Sequence, residues 1–175
     1  RDVSTFIPAG ADLEVVEGCA PNDDTQALLV TRSGAANLDG AQLRAYLDDG
    51  GVVITEFNIS HTVFNLAFEA NVAQGARQGG CSDDVNPPNQ RNLDDQFWVD
   101  NADVAAHEGN AGCGYDVSRF PGITALGGWN ANTVSLAYRD RGQGRLWLVE
   151  SDWQDNGNAF TAESLALMQY MVLNG

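Results

Sequence analysis

A chain of 175 residues with 24 Asp and Glu against 9 Arg, and no Lys at all, carries a net charge of −15. That balance argues against nucleic-acid binding, which depends on cations that neutralise phosphates, and against anionic membrane surfaces. The length suits one domain, residues 1–175, with one sizeable core, and no apolar run approaches the roughly 20 residues of a membrane span.

Residues 11–18 (ADLEVVEG) read as a short strand, and the apolar run inside residues 24–34 (DTQALLVTRSG) as a stronger one bounded by turn residues. A helix follows over residues 37–51, with Leu38, Leu43, Ala45, Tyr46 and Leu47 on its inner face. Gly50 or Gly51 supplies its left-handed C-terminal cap. Residues 52–55 (VVIT) are a buried strand, and residues 60–72 a second helix with Ser60 as N-cap. Between about 75 and 127 the chain is Gly-rich, polar and almost without apolar periodicity, an irregular insertion with a short element near residues 96–107. Loops of that length are usually functional or specially stapled. Residues 133–139 and 145–151 form a hairpin about the turn at 140–144. The last helix runs over residues 161–175, capped from Asn158 or Thr161. Strands alternating with helices, and near-continuously apolar strands, predict an α/β fold with a mainly parallel sheet, a C-terminal β-hairpin and the long insertion.

Three cysteines, Cys19, Cys81 and Cys113, include no CxxC pair, which argues against a zinc ribbon or a redox motif. A Cys81–Cys113 disulfide would staple the insertion, with roughly 3–4 kcal/mol by the loop-entropy model, and would require an oxidising compartment. Cys19 is then either buried and inert or paired elsewhere.

The runs ALLVT, LDGAQLRAYLDDGGVVITE and GQGRLWLVESDWQD resemble the class I glutamine amidotransferase-like domains, the flavodoxin-like group that includes ThuA-like proteins. The resemblance covers about residues 26–70 and 133–173 and implies a three-layer flavodoxin-like core. It also implies a nucleophile elbow after the VVIT strand and a catalytic His after the late strand. Here the elbow reads Glu56-Phe57-Asn58 instead of a Cys turn, and Ser151-Asp152-Trp153 stands where the His belongs. His61 and His107 lie elsewhere. The resemblance therefore implies a fold without amidotransferase chemistry.

The polar groups at the strand ends are the candidate site: Thr31, Arg32 and Ser33; Glu56, Asn58 and His61; Tyr138, Arg139 and Asp140; Glu150, Asp152, Trp153 and Asp155. In parallel strands these converge on the rim where open α/β sheets bind ligands. Glu56 and Asp152 could act as acid and base in hydrolysis of carbohydrate or ester bonds. They could instead pair with Arg32 and Arg139. The acidic, Asn-Gly-rich residues 151–158 suggest calcium held by Asp152 and Asp155, although they do not match an EF-hand loop. Trp129 and Trp153, flanked by polar turn residues, could stack on sugar rings.

The expected protein is a secreted or cell-surface binding or assembly domain whose partners are proteins or carbohydrate at the cell surface. Nucleic acid and membrane insertion are not expected, and no cofactor is expected beyond calcium. The alternatives are a hydrolase using Glu56 and Asp152, and a structural subunit of an extracellular filament or particle.

Overall fold

The structure is a computed structural model, and it describes residues 2–18, 20–73, 89–104, 114–128, 132–154 and 161–174. The fold is mixed α/β. In chain order the elements are β1 (Ala27–Val30), α1 (Gly40–Asp48), β2 (Val52–Thr55), α2 (Ser60–Phe68), β3 (Asn89–Gln90) and α3 (Gln96–Asp100). There follow β4 (Tyr115–Asp116), β5 (Thr124–Gly128), β6 (Thr133–Val134), β7 (Leu136–Arg141), β8 (Gly144–Val149) and α4 (Ala162–Leu173).

Six strands make one sheet in the order β1-β2-β8-β7-β5-β3, and β4 pairs with β6 in a separate ribbon. β1, β2 and β8 are mutually parallel. β7, β5 and β3 each run antiparallel to a neighbour. The sheet is thus mixed, parallel across β1, β2 and β8 and antiparallel beyond them. The parallel half is the one whose connections contain α1, α2 and the long insertion, since parallel strands need crossovers and antiparallel ones need only turns.

Alternation along the strands sorts side chains to two cores. Val53, Leu146 and Leu148 face α1 and α2, meeting Leu43, Leu47, Val63, Phe64 and Ala67. Val52, Ile54, Trp147 and Val149 face the other way, onto Phe97 and Trp98 of α3 and Leu167, Met168 and Met171 of α4. Helices therefore cover both faces, and every residue of β2 is buried, which explains why VVIT lacks polar alternation.

Local signals account for the helix ends. Asp39 caps α1, its carboxylate accepting from the Ala41 and Gln42 N–H groups at 2.8 and 2.9 Å. Gly50 adopts φ +103° just past its end, a conformation that favours glycine. Thr161 caps α4 by accepting from the Ser164 N–H. The two-residue turn between β7 and β8 rests on the end of α1. The Gln143 N–H donates to the Asp48 carbonyl, and Arg141 pairs with the Asp48 carboxylate at 3.0 Å.

Three expectations are corrected. Residues 11–18 belong to no strand: among the described residues no other strand pairs with them, and the Ala11 N–H turns back to the Pro8 carbonyl at 3.1 Å. Ser60 does not cap α2 with its side chain; Ile59 holds the N-cap position, and the Ser60 hydroxyl is drawn into the core. The run 133–139 is two strands, broken at Ser135, where the chain passes from the β4–β6 ribbon into the main sheet. Within the 75–127 stretch, α3, β3, β4 and β5 are regular. Cys19, Cys81 and Cys113 lie outside the described residues, as do His107, Trp129, Asp155 and Asn158.

Candidate functional site at the strand ends

Because β1, β2 and β8 are parallel and adjacent, the residues that leave them meet on one rim. The Glu56 carboxylate is its centre. One oxygen accepts from the Arg32 N–H at 2.8 Å and the other from the Gln154 N–H at 3.2 Å. Asp152 hydrogen-bonds the same carboxyl, and the Arg32 guanidinium lies 3.2 Å from Asp152. Glu56 is fully buried and Asp152 nearly so, while the Arg32 side chain is 42% exposed. Burial pushes the Glu56 carboxyl up to about 7, with Asp152 raising it further against the opposing pull of the Arg32 N–H.

The turn out of β2 has a specific backbone. Phe57 sits at φ +48°, a left-handed conformation that is rare for a bulky side chain and marks a position over-determined by its surroundings. Its N–H donates to the Ser151 carbonyl at 3.2 Å, and its ring lies 5.4 Å from the Arg32 guanidinium. The sharp bend after β2 thus presents an aromatic ring, with Glu56 immediately before it tied to all three strand ends.

Behind the bend runs a second polar chain. The Val149 N–H donates to the Thr55 hydroxyl at 3.1 Å, and Thr55 and Ser60 hydroxyls are 2.6 Å apart. Ser60 donates to Glu150. Since the one Ser60 proton goes to Glu150, Thr55 must donate to Ser60, so the chain points from the backbone to the buried Glu150 carboxylate. All three side chains are fully buried. Glu150 was legible as a strand-end acid, but its Thr55–Ser60 partners were not. The missed signal is a hydroxyl closing the strand and another opening the helix five residues later.

The remaining candidates separate. Arg139 is not on this rim, because β7 runs antiparallel to β8 and carries its C-terminal residues to the opposite end. Arg139 instead covers the Phe68 ring at 4.0 Å and donates to the Pro121 carbonyl. Tyr138 bonds Asp95, and Asp140 pairs with Arg145 at 2.6 Å. Trp153 is fully buried rather than exposed, its indole N–H donating to the Thr55 carbonyl at 2.8 Å and its ring meeting Phe6 edge-on. It offers no face to a sugar. Asn58 is half-buried on the bend, and His61 is half-buried at the start of α2, beside Thr62. Asp152 is held by a guanidinium. Among the described residues, no group of three or more His, Cys, Asp or Glu is placed to hold a metal ion.

Chemically, the rim is closed by the chain's own groups. Glu56 and Asp152 are in hydrogen-bond contact, whereas glycoside hydrolysis needs carboxyl groups about 5–9.5 Å apart with the sugar between them. No family model, curated protein or solved structure matches this chain. No helix among the described residues is long and apolar enough to cross a membrane.

Proposed function

We propose that this chain is a non-catalytic binding or assembly domain on a flavodoxin-like, amidotransferase-like core, working in a secreted or cell-surface protein. The observation that carries the reading is the bend after β2. The turn to which the resemblance assigns a nucleophile reads Glu56-Phe57, and Phe57 there is left-handed at φ +48°. The adjoining Glu56 has both oxygens occupied by backbone N–H groups and no exposure to solvent. An acid that serves as an internal brace cannot also exchange protons with a substrate unless the strand ends part. The flavodoxin-like detail is supported by the β1-α1-β2 unit, the parallel closure by β8 and the helices on both faces. Extracytoplasmic placement rests on the expected Cys81–Cys113 disulfide, and a thiol titration of the denatured, unreduced protein would find one thiol rather than three.

The test is turnover. The protein, Glu56→Gln and Asp152→Asn are incubated with chromogenic esters and glycosides between pH 5 and 8, and folding is checked by circular dichroism. All three are expected to be equally inert. Hydrolysis by the parent protein that disappears in a folded Glu56→Gln variant would replace the binding reading by the hydrolase.

A further inference from the structure

We infer that the outer edge of β1 is a docking site for an extended, basic partner segment, which would add to the sheet as a further strand. The inference rests on the reading that the domain works by binding, and it names where and what.

Among the described residues β1 ends the sheet, with β2 as its only partner strand. In a parallel ladder every second residue of an edge strand turns its N–H and C=O away from its neighbour. Proteins blunt such edges with charge, proline or a bulge. Ala27–Val30 is kept short, at four residues, which is a further such device, but it carries no charge, proline or bulge; it is Ala-Leu-Leu-Val, and its first three residues are only half-buried. Residues 12–18, which line the same groove as β1, belong to no strand, and among the described residues no backbone hydrogen bond joins them to β1. Between the two lies a groove of about 870 Å³ that follows β1 from Ala27 to Val30 and continues to Gly34.

The walls of the groove define the occupant. One is the apolar strand. The other carries Val15 and Val16, 49% and 77% exposed, large apolar side chains left in water. The groove is also lined by Asp12, Glu14, Glu17 and Asp24, and among the described residues no Arg lines it. A strand whose apolar residues alternate with Arg or Lys satisfies all three features. Its backbone takes up the free edge, its apolar side chains cover the valines, and its cations meet the carboxylates. Strand addition of this kind takes affinity from main-chain hydrogen bonds and specificity from alternate side chains. A second copy of this chain fits poorly, since it would bring the same four carboxylates face to face in a molecule already at −15.

The probe is an eight-residue peptide alternating Val and Arg, titrated into the full chain at low salt and followed by calorimetry. Its controls are the Val/Glu peptide and the Val/Arg peptide N-methylated at alternate residues, which keeps charge and apolarity but cannot complete a ladder. The Val/Arg peptide should bind at micromolar concentration. N-methylation and the exposed double variant Glu14→Arg/Glu17→Arg should each weaken it at least tenfold, and the Val/Glu peptide should not bind. Equal binding of the N-methylated peptide would overturn strand addition in favour of a diffuse acidic surface. Absence of binding, or a concentration-dependent dimer on size exclusion that the double variant abolishes, would overturn the assignment of the occupant. Turnover lost in Glu56→Gln would remove the underlying reading whatever the peptides do, whereas inert protein with no peptide binding would remove the edge assignment alone.

Discussion

Glu56 and Asp152 share a hydrogen bond where β2 and β8 end, and Arg32, leaving β1, touches both: its N–H donates to Glu56 and its guanidinium pairs with Asp152. Three parallel strands are thereby laced together at one rim by groups that leave them in sequence positions 24 and 120 residues apart.

The lacing has a pH signature. Glu56 rises from the ordinary carboxyl value of 4.5 to about 7 on folding, so the folded state binds the proton more tightly. Its contribution is fully present below pH 4.5 and is lost as pH rises through 7. The full span is on the order of 3 kcal/mol. Glu56→Gln, whose amide nitrogen cannot accept from one of the two backbone N–H groups, should be less stable than the parent near pH 5, and that deficit should shrink or reverse at pH 8. Urea denaturation at both pH values checks this, and a Gln variant equally destabilised at both would show that Glu56 is charged in the fold.

Arg32→Met should destabilise by about 1 kcal/mol, a modest figure because the guanidinium is 42% exposed and solvent screens it. The loss should be larger at pH 8 than at pH 5.5. Removing the cation leaves less to offset the cost of ionising Glu56 beside Asp152.

Thr55→Val keeps the shape of the side chain but cuts the chain from the Val149 N–H to Glu150. It strands the Val149 donor and leaves Ser60 without its incoming proton, at about 1–3 kcal/mol. Thr55→Ser restores the hydroxyl and should recover most of that loss. If Val and Ser variants melt together, the hydroxyl contributes nothing.

At Phe57 the backbone rather than the ring is the object of the test. Phe57→Gly and Phe57→Ala both lose the aromatic contact with Arg32, but only Gly relieves φ +48°. Gly should be the more stable of the two by about 1 kcal/mol. Equal thermal midpoints would mean the bend relaxes when the ring is removed.

Much of the parallel half was legible, because its strands are short apolar blocks set off by turn residues: Ala27–Val30 and Val52–Thr55 fall inside runs read as strands, and so does β8 except for Gly144, which was read as the end of the turn. What sequence could not supply was direction and partnership. Arg139 was placed on the ligand rim because a strand's polarity in the sheet is a tertiary property, and β7 runs the opposite way. Residues 11–18 have strand-like composition, yet a strand exists only where a neighbour accepts its hydrogen bonds. Trp153 looked exposed from its polar flanks, but its neighbours Asp152 and Gln154 turn to Glu56 while its own ring drops into the core. Glu56 was read either as an acid or base or as a carboxylate paired with Arg32 or Arg139; in the structure it bonds the Arg32 backbone, while the Arg32 guanidinium pairs with Asp152.

The order of strands in space also sets a timetable. β2 is finished at Thr55, but the strand that seals its far side begins only at Gly144. At ribosomal speeds of about 5–20 residues per second, the interval is on the order of ten seconds. Throughout it, the wholly apolar Val52–Ile54 face has half a sheet and no closing neighbour. The nascent chain must carry its future centre as an open edge, so any stall or cleavage before residue 144 yields a sticky fragment rather than a smaller domain.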